Sequence, residues 1–325
     1  MSRLIIKAMS RRGFMALSAA GAALTLSGAG FAKETIKGDK SAAWYRFGIG
    51  DFEATIVSDG TLALGPFANL YPKVSKDDLT GAVTSEFASP DAFVAQENCM
   101  VLNTGDKLVL FDSGMGASKA FGPGAGRLGA TLTQAGIKPE DIDVIVLTHA
   151  HVDHLSGIMS GDRRMFPNAQ VAISKTEFDF WTDEAKTSWT GVLKMLVDAA
   201  RANLLPNKDR LILVENGKEV VKGVTAIATP GHTPGHTSYA IASGGKTFLY
   251  TGDFVSHTAI SFRHPDWAFG FDGDPTAASA TRVKALDMAA AEGMTLIGYH
   301  FAFPGIGHVA REGGAYRFVP TPMEF

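Results

Sequence analysis

Cysteine is nearly absent from this sequence, since Cys99 is the only one among 325 residues. A single cysteine cannot form an intramolecular disulfide, and it offers no cysteine pair for a metal or redox site. Cys99 stands beside Met100 at the start of an apolar segment, which favours a buried small hydrophobe over a functional thiol. A metal site in this chain would therefore draw its ligands from histidine and carboxylate side chains.

The sequence also lacks an excess of charge and an internal linker. It has 30 basic and 33 acidic residues, a formal net charge of −3, and no basic cluster beyond the N-terminus. This balance gives no electrostatic footprint for nucleic acid. No polar or Pro/Ser-rich segment divides the chain, and 46% of its residues are hydrophobic. We therefore predict one folded domain over residues 33–325, after an N-terminal segment of different composition.

That N-terminal segment, residues 1–32, has the pattern of an export signal. Basic residues up to Arg12 precede an uncharged, Gly/Ala-rich stretch over 14–32, and residues 10–15 resemble a twin-arginine motif. We predict cleavage after Ala32, a periplasmic location and no stable membrane association afterwards. A retained membrane anchor is the alternative, which the short, glycine-rich stretch disfavours.

Histidine is absent from the first 148 residues, and then three histidines and an aspartate occur within the segment Thr148–His154. The apolar stretch Val144–Leu147 leads directly into this segment, as expected for a strand that ends in a ligand-bearing loop. Imidazole nitrogens suit zinc and similar metals, and the carboxylate suggests a second metal or a general base. A histidine-rich surface loop is the alternative.

Later segments repeat this arrangement of a strand followed by potential ligands. The segment Pro230–His236 follows apolar residues 224–228, Asp253 follows 247–250, and His300 follows 295–298. Glycine and proline at these places allow tight turns that bring the backbone close to a metal. The repetition favours a metal site over a surface loop.

Together these motifs resemble the five-motif signature of the metallo-β-lactamase superfamily. The resemblance implies an α/β fold, a four-layer αββα sandwich with a dinuclear metal site at the sheet edge. It also implies two Zn²⁺ or other divalent first-row ions, and imidazole at His151 favours zinc-type hydrolysis over diiron redox chemistry. The implied roles are His149, His151 and His232 on the first ion, Asp153, His154 and His300 on the second, and Asp253 bridging both.

Two further positions near these motifs have implied or expected supporting roles. Asp112 matches the first motif of the superfamily, whose carboxylate orients the metal loop without binding metal; a simple turn residue at a strand end is the alternative. His236 is expected to be structural, because His232 already fills the matching ligand position. The roles of His257, His264 and His308 stay open between substrate contact and solvent exposure.

The pattern of apolar residues predicts a coarse set of elements. Similar hairpins over 100–114 and 239–253 suggest two related halves. Further expected elements are a hairpin over 44–64 around Asp59–Gly60, helices over 127–135, 190–203 and 275–292, and strands over 143–148 and 169–174.

Segments outside the ligand motifs, such as Gly50–Glu53 and Phe303–His308, resemble methyl parathion hydrolase and its lactonase relatives. This resemblance implies a hydrolase of lactones, aryl esters or organophosphate triesters. The attacking group would be a metal-bound hydroxide, and Asp153 could accept the proton. The expected partner is a small-molecule ester or lactone, and a homodimer is left open.

Three alternative functions are weighed against this one. An N-acyl-homoserine lactonase shares the ligands, but many carry a tyrosine three residues after the bridging aspartate, where this chain has Ser256. A β-lactamase is disfavoured because Asp253 supplies a bridging carboxylate. A non-catalytic metal-binding protein would need the same ligands but would lose an open coordination site, and the complete set of seven ligands argues for catalysis.

Aromatic residues between the motifs are candidates for the substrate pocket. Glu177–Trp181 is rich in aromatics, and Trp189 follows closely. We predict that Phe121, Trp181 and Trp189 line the pocket, with burial in the core as the alternative for each.

Overall fold

A computed structural model describes residues 42–323, which lie within one compact unit that begins at Ala42. The predicted export segment, residues 1–32, and its predicted cleavage point lie outside the described residues. Within 42–323, no helix is both long enough and apolar enough to cross a membrane. The described strands form two seven-stranded sheets and one two-stranded ribbon.

The first sheet has the order β1-β2-β3-β4-β5-β8-β9, antiparallel up to β4 and parallel from there on. Its parallel strands end near one edge, which places the loops after them side by side. The first-sheet and ribbon strands are β1 (Trp44–Ile49), β2 (Phe52–Gly65), β3 (Phe93–Asn103), β4 (Leu108–Phe111), β5 (Val144–Val146), β6 (Met159–Ser160), β7 (Arg163–Arg164), β8 (Gln170–Ser174) and β9 (Leu211–Val214).

The second sheet has the order β10-β11-β12-β13-β14-β15-β16, in which only the β13–β14 pair is parallel. Its strands are β10 (Glu219–Val221), β11 (Val224–Ala228), β12 (Thr237–Ser243), β13 (Lys246–Tyr250), β14 (Thr295–Ile297), β15 (Ile306–Glu312) and β16 (Ala315–Pro320).

The predicted similarity of the two halves is visible in the pairing. The antiparallel hairpin β3–β4 is followed by the parallel strand β5, and the antiparallel hairpin β12–β13 is followed by the parallel strand β14. Each half thus places a loop from its hairpin beside a loop from the next parallel strand.

The sheets face each other through aromatic side chains, and helices cover their outer faces. Phe111 on β4 lies 5.9 Å from Tyr239 and 5.2 Å from Tyr250, measured between ring centroids. Helix α3 packs against β2 of the first sheet, and α8 packs against β15 of the second. The helices are α1 (Phe67–Leu70), α2 (Lys76–Thr84), α3 (Leu128–Gln134), α4 (Val152–Leu155), α5 (Lys175–Thr182), α6 (Gly191–Leu204), α7 (Ile260–Arg263) and α8 (Pro275–Glu292).

The predicted α/β sandwich and its main elements are confirmed. Helices α3, α6 and α8 and strands β5 and β8 lie within a few residues of their expected bounds. Helix α8 begins at a proline after Asp274, whose side chain accepts two backbone N–H groups, and it ends at Gly293 with φ of +65°. The residues at both ends are the sequence signals that predict where a helix begins and ends.

The predicted hairpin turn at Asp59–Gly60 is wrong. The turn between β1 and β2 lies at Gly50–Asp51, and β2 continues through Asp59–Gly60 with a shift in its register against β3. At Gly60, φ is +121°, and a Cβ atom would lie 2.2 Å from the carbonyl oxygen of Gly124. The same residue types that favour a turn also form a bulge where another loop approaches closely.

Candidate metal centre

The seven predicted ligands come from loops at the ends of strands in both sheets. His149 and His151 follow β5, and Asp153 and His154 lie in the short helix α4 directly afterwards. The others follow strands of the second sheet: His232 follows β11, Asp253 follows β13 and His300 follows β14. All seven side chains are buried.

Three of these residues, His149, His151 and His232, form a first triad. Their ligand atoms all lie within 4.8 Å of one another. His232 Nε2 lies 3.0 Å from His151 Nδ1, and the His149 ring centroid lies 4.6 Å from that of His151. The first triad consists entirely of imidazoles.

Asp153, His154 and His300 form a second triad of the same size. Asp153 Oδ2 lies 3.5 Å from His154 Nε2 and 3.5 Å from His300 Nε2. This group therefore combines two imidazoles with a carboxylate.

The carboxylate of Asp253 lies between the two triads. Its Oδ2 is 3.4 Å from His232 Nε2 in the first triad and 3.2 Å from His300 Nε2 in the second. Its Oδ1 is 3.3 Å from His154 Nε2. One carboxylate thus reaches both groups, which is the position that a bridging ligand requires.

Atoms without hydrogen-bond partners test whether this donor set suits a metal. Within residues 42–323, five buried side-chain atoms lack a partner, and three of them are His149 Nε2, His154 Nε2 and Asp253 Oδ1. Two ligand atoms on a tetrahedral zinc lie about 3.3 Å apart when each is about 2.0–2.1 Å from the ion. The spacings of 3.0–3.5 Å between ligand atoms here match that value. The residues therefore fit zinc-type ions.

Burial and neighbouring charge give the ligands different acid–base properties in the metal-free chain. Burial lowers the pKa of His149 and His151 well below the usual range, so both are neutral and have a free lone pair. Burial also acts to lower the pKa of His154, but nearby carboxylates, chiefly Asp253, raise it well above its usual value. Burial acts to raise the pKa of Asp253, but His300 and His154 hold it well below its usual value.

Three ligand imidazoles are oriented by acceptors behind them. His154 Nδ1 donates to Asp112 Oδ2 over 2.9 Å, and His300 Nδ1 donates to the carbonyl oxygen of Gln96 over 2.8 Å. His232 Nδ1 lies 3.3 Å from Asp272 Oδ1 and donates to it. Each bond fixes the ring with Nε2 directed toward the other ligands, which is how proteins orient metal-binding imidazoles.

Asp112 holds the backbone of the ligand loop as well as His154. Its carboxylate accepts the backbone N–H of Thr148 over 2.8 Å and the Thr148 hydroxyl over 2.9 Å. It has φ of +53°, a conformation that is uncommon for residues other than glycine. These contacts agree with its predicted role as an orienting residue.

His236 lies beside the centre, but both of its ring nitrogens are engaged by backbone groups. Its Nε2 accepts the backbone N–H of Asp253 over 2.8 Å, and its Nδ1 donates to the carbonyl oxygen of Thr229 over 3.1 Å. Burial lowers its pKa to about 3, so the ring is neutral. His236 therefore connects the loop after β11 to Asp253, and replacing it would disturb a ligand.

The buried ion pair between Asp272 and Arg282 has no signal in the sequence motifs. Arg282 Nη2 lies 3.1 Å from Asp272 Oδ2, and its Nε donates to the carbonyl oxygen of Phe254 over 2.8 Å. Because Asp272 is 40 residues from His232 along the chain, no local pattern connects them. Only the folded chain shows that this pair supports the His232 ring.

An apolar cavity lies over the ligands and contains one of the three predicted pocket aromatics, Phe121. A neighbouring groove shares His151 and His232 with the cavity and contains the other two, Trp181 and Trp189. Trp181 is only 3% exposed, and its ring packs edge-on against His151 at 5.4 Å. The cavity is lined by Leu62, Leu64, Phe93, Phe121, His151, Asp153, Leu196, His232, Asp253, Ser256, Phe269, Phe271 and His300.

None of the three histidines whose roles were open is among the residues that line this cavity. His257 Nδ1 accepts the backbone N–H groups of Ala259 and Ile260 at the start of α7, and burial lowers its pKa to about 4. The His264 ring stacks on Trp267 with 3.8 Å between centroids, and His308 is exposed on β15. Cys99 is fully buried, as predicted.

Comparison with known proteins places this geometry in a family. The model of the metallo-beta-lactamase superfamily matches residues 92–300, which contain all seven predicted ligands. The chain belongs to the metallo-β-lactamase superfamily. Among curated proteins, an N-acyl homoserine lactonase of Bacillus cereus is 29% identical over 207 residues, covering 58% of this chain and 76% of the lactonase.

Two solved structures resemble the fold over nearly their full length. One is AidC, a dizinc quorum-quenching lactonase in complex with a product, N-hexanoyl-L-homoserine; its TM-score is 0.81 at 28% identity, covering 87% of this chain and 99% of AidC. The other is AbOPH, a hydrolase in the beta lactamase superfamily; its TM-score is 0.82 at 30% identity, covering 88% of this chain and all of AbOPH. The family and the ligands make this chain a metal-dependent hydrolase.

Proposed function

We propose that the chain is a dinuclear, zinc-type hydrolase that cleaves lactones and aryl esters, with phosphotriester cleavage as a weaker or comparable activity. The observation that carries this proposal is the position of Asp253, whose carboxylate lies within 3.4 Å of ligand nitrogens in both triads. Such a carboxylate can hold two cations close together, as hydrolases with two metal ions require.

When bound, two such ions would lower the pKa of a water molecule and polarise the carbonyl or phosphoryl oxygen of the substrate. Asp153 lines the cavity, so the carboxylate oxygen that does not hold an ion would be available to accept a proton from a water there. Asp253 sets the separation of the triads. The apolar walls, including Phe93 and Phe269, offer water no hydrogen-bond partner, so water would be held at the face that carries the predicted ligands.

The cavity walls support an apolar ester as substrate. Phe121 and Phe271 pack edge to face at 6.1 Å on one side of the cavity, and no charged group other than the predicted ligands is among its lining residues. Apolar walls favour an apolar acyl or aryl group by burying its surface. The reaction itself needs only an electrophilic carbonyl or phosphoryl centre and a leaving group that can be stabilised.

N-acyl homoserine lactones are the second candidate substrates. The Bacillus cereus relative and AidC are both lactonases, and the groove beside the cavity provides apolar surface from Trp189, Val192 and Leu193. Val192 and Leu193 are 54% and 51% exposed, so this surface is open to a substrate chain. Ser256 lines the cavity with its hydroxyl oxygen 3.4 Å from that of Tyr71, so a tyrosine hydroxyl approaches this region from another segment.

A substrate panel tests the proposal. The zinc-loaded chain should hydrolyse γ-lactones and aryl esters, and at least one phosphotriester more slowly or at a similar rate. N-acyl homoserine lactones should react faster than an unsubstituted γ-lactone if the groove binds the acyl chain. Hydrolysis of the phosphotriester alone would contradict the order of substrates, and no turnover of any member would contradict the proposed reaction.

We also propose that residues 1–32 direct export to the periplasm. Because paired arginines are read by an export receptor, replacing Arg11 and Arg12 together with lysine should leave active enzyme in the cytoplasm and little in the periplasm. Activity in the two cell fractions measures this, with the unaltered chain as control. Unchanged periplasmic activity would contradict the proposed signal.

A further inference from the structure

Glu177 is a fully buried carboxylate in the first turn of α5 that accepts four hydrogen bonds. Its Oε1 accepts the backbone N–H of Ala150 over 3.0 Å and the indole N–H of Trp181. Its Oε2 accepts the Thr233 hydroxyl over 2.8 Å and the backbone N–H of Gly235 over 2.9 Å. All four donors are neutral, so this carboxylate is held by hydrogen bonds and not by a paired charge.

Two of these donors belong to residues adjacent to the ligands of the first triad. Ala150 lies between His149 and His151, and Thr233 directly follows His232. One carboxylate therefore connects the loop after β5 to the loop after β11. Trp181 extends the connection to the substrate groove, because its ring packs against His151.

Close packing shows that the contact between Glu177 and the loop after β11 is built into the fold. A Cβ atom at Gly235 would lie 2.2 Å from the backbone nitrogen of Glu177. Only glycine allows the loop to approach α5 so closely. The approach places the Gly235 N–H and the Thr233 hydroxyl on the same carboxylate oxygen.

A carboxylate suits this position better than an amide does. An ionised carboxylate has two oxygens and about four lone-pair sites, which matches four donors. A glutamine would present an NH₂ group to two of the donors and would leave them without an acceptor. Leaving buried donors unpaired costs free energy, so the loops would have to shift to restore their hydrogen bonds.

We propose that Glu177 is a positioning residue that fixes the relative placement of His149, His151 and His232 and connects this first triad to the wall of the substrate groove through Trp181. The inference rests on the proposed metal centre. The two loops are far apart along the chain, since His232 lies 81 residues after His151. Glu177 accepts hydrogen bonds from both loops.

The test measures the affinity of the metal-free, folded chain for each of two Co²⁺ ions. Binding is monitored by visible absorption and by competition with a chelator. Glu177→Gln should lower the affinity for one ion by about 10- to 100-fold, which is the range typical of residues that orient ligands. The affinity for the other ion should stay near its value in the unaltered chain. In a chain that also carries His300→Ala, which keeps the first triad, Glu177→Gln should weaken the remaining ion by a similar factor.

Asp59→Asn is the matched control. Asp59 is also a buried carboxylate that accepts three backbone N–H groups, from Met115, Gly126 and Leu128, but it contacts no ligand loop. This variant should lower the thermal unfolding temperature and keep both Co²⁺ affinities. A purely structural role for Glu177 would give the same result as the control.

The outcomes separate this inference from the proposed function. If Glu177→Gln binds two Co²⁺ ions with the affinities of the unaltered chain, the proposed role of Glu177 is overturned and the proposed metal centre is not. An unaltered chain that binds fewer than two ions would overturn the proposed centre and this inference with it. If Glu177→Gln does not fold, Thr233→Val, which removes one donor, should still weaken one ion selectively, and unchanged affinities there would also overturn the inference.

Discussion

The two triads of the centre differ in charge and in how they are supported. The first, His149, His151 and His232, consists of imidazoles, two of which burial keeps neutral. The second contains the carboxylate of Asp153 and two imidazoles. An ion in the second triad would therefore gain direct charge compensation from Asp153, whereas an ion in the first would depend on Asp253 for any negative charge.

The supporting residues differ in a corresponding way. Glu177 and Asp272 hold the loops and one ring of the first triad from outside, while Asp112 and the Gln96 carbonyl oxygen orient two rings of the second. We infer that metal affinity in the first triad depends more on the precise placement of neutral imidazole ligands. Metal affinity in the second triad depends more on charge. The variants below separate these contributions.

The largest expected effect comes from Asp253, the residue that the triads share. Asp253→Ala removes the carboxylate that lies within 3.4 Å of both groups, so metal and hydrolysis should be lost together. The loss should exceed the roughly 10- to 100-fold effect of residues that only orient ligands. Metal analysis of the purified variant measures this, and two tightly bound ions would contradict the bridging assignment.

Removal of one ligand from each triad should affect the ions separately. His300→Ala should leave an ion in the first triad, and His232→Ala should leave one in the second, because Asp253 remains in both variants. Each variant should bind about one ion per chain, with distinct Co²⁺ absorption spectra. Loss of both ions in both variants would show that the triads do not act as separate sites.

Smaller effects should follow from the carboxylates behind the rings. Asp272→Asn should weaken the first-triad ion and Asp112→Asn the second-triad ion, each by about 10- to 100-fold. Asp272→Asn should also lower the free energy of unfolding, by about 3–5 kcal/mol, because Arg282 stays buried without its charged partner. Chelator competition and denaturant unfolding measure the two effects, and a loss of affinity for the same ion in both variants would contradict the assignment.

The smallest effect on metal should come from the substrate groove. Trp189→Ala should keep both ions and change the ratio of kcat/KM between long-chain and short-chain esters by about 10-fold or more, as apolar contacts in a pocket do. Trp189 suits this test better than Trp181, whose indole N–H is bound to Glu177. An equal change for every substrate would place Trp189 outside the substrate path.

Local patterns were sufficient to predict the main strands and helices and the loops that carry candidate ligands, whereas the sandwich and the choice of the seven ligands came from the resemblance of these motifs to the superfamily. Apolar stretches such as Val144–Val146 end directly before ligand loops, and Pro275 and Gly293 mark the ends of α8. The supporting contacts were beyond such patterns, because Glu177 lies 27 residues from Ala150 and 58 from Gly235. The turn predicted at Asp59–Gly60 failed for a similar reason, since the bulge there depends on the distant Gly124.

The most direct test of the central claim is a zinc titration of the metal-free, full-length chain, with bound ions counted after removal of the excess. Two triads joined by Asp253 predict two ions per chain, and hydrolysis that reaches its maximum when both are bound. One ion per chain at saturation, or full hydrolysis after the first, would contradict the proposed dinuclear centre.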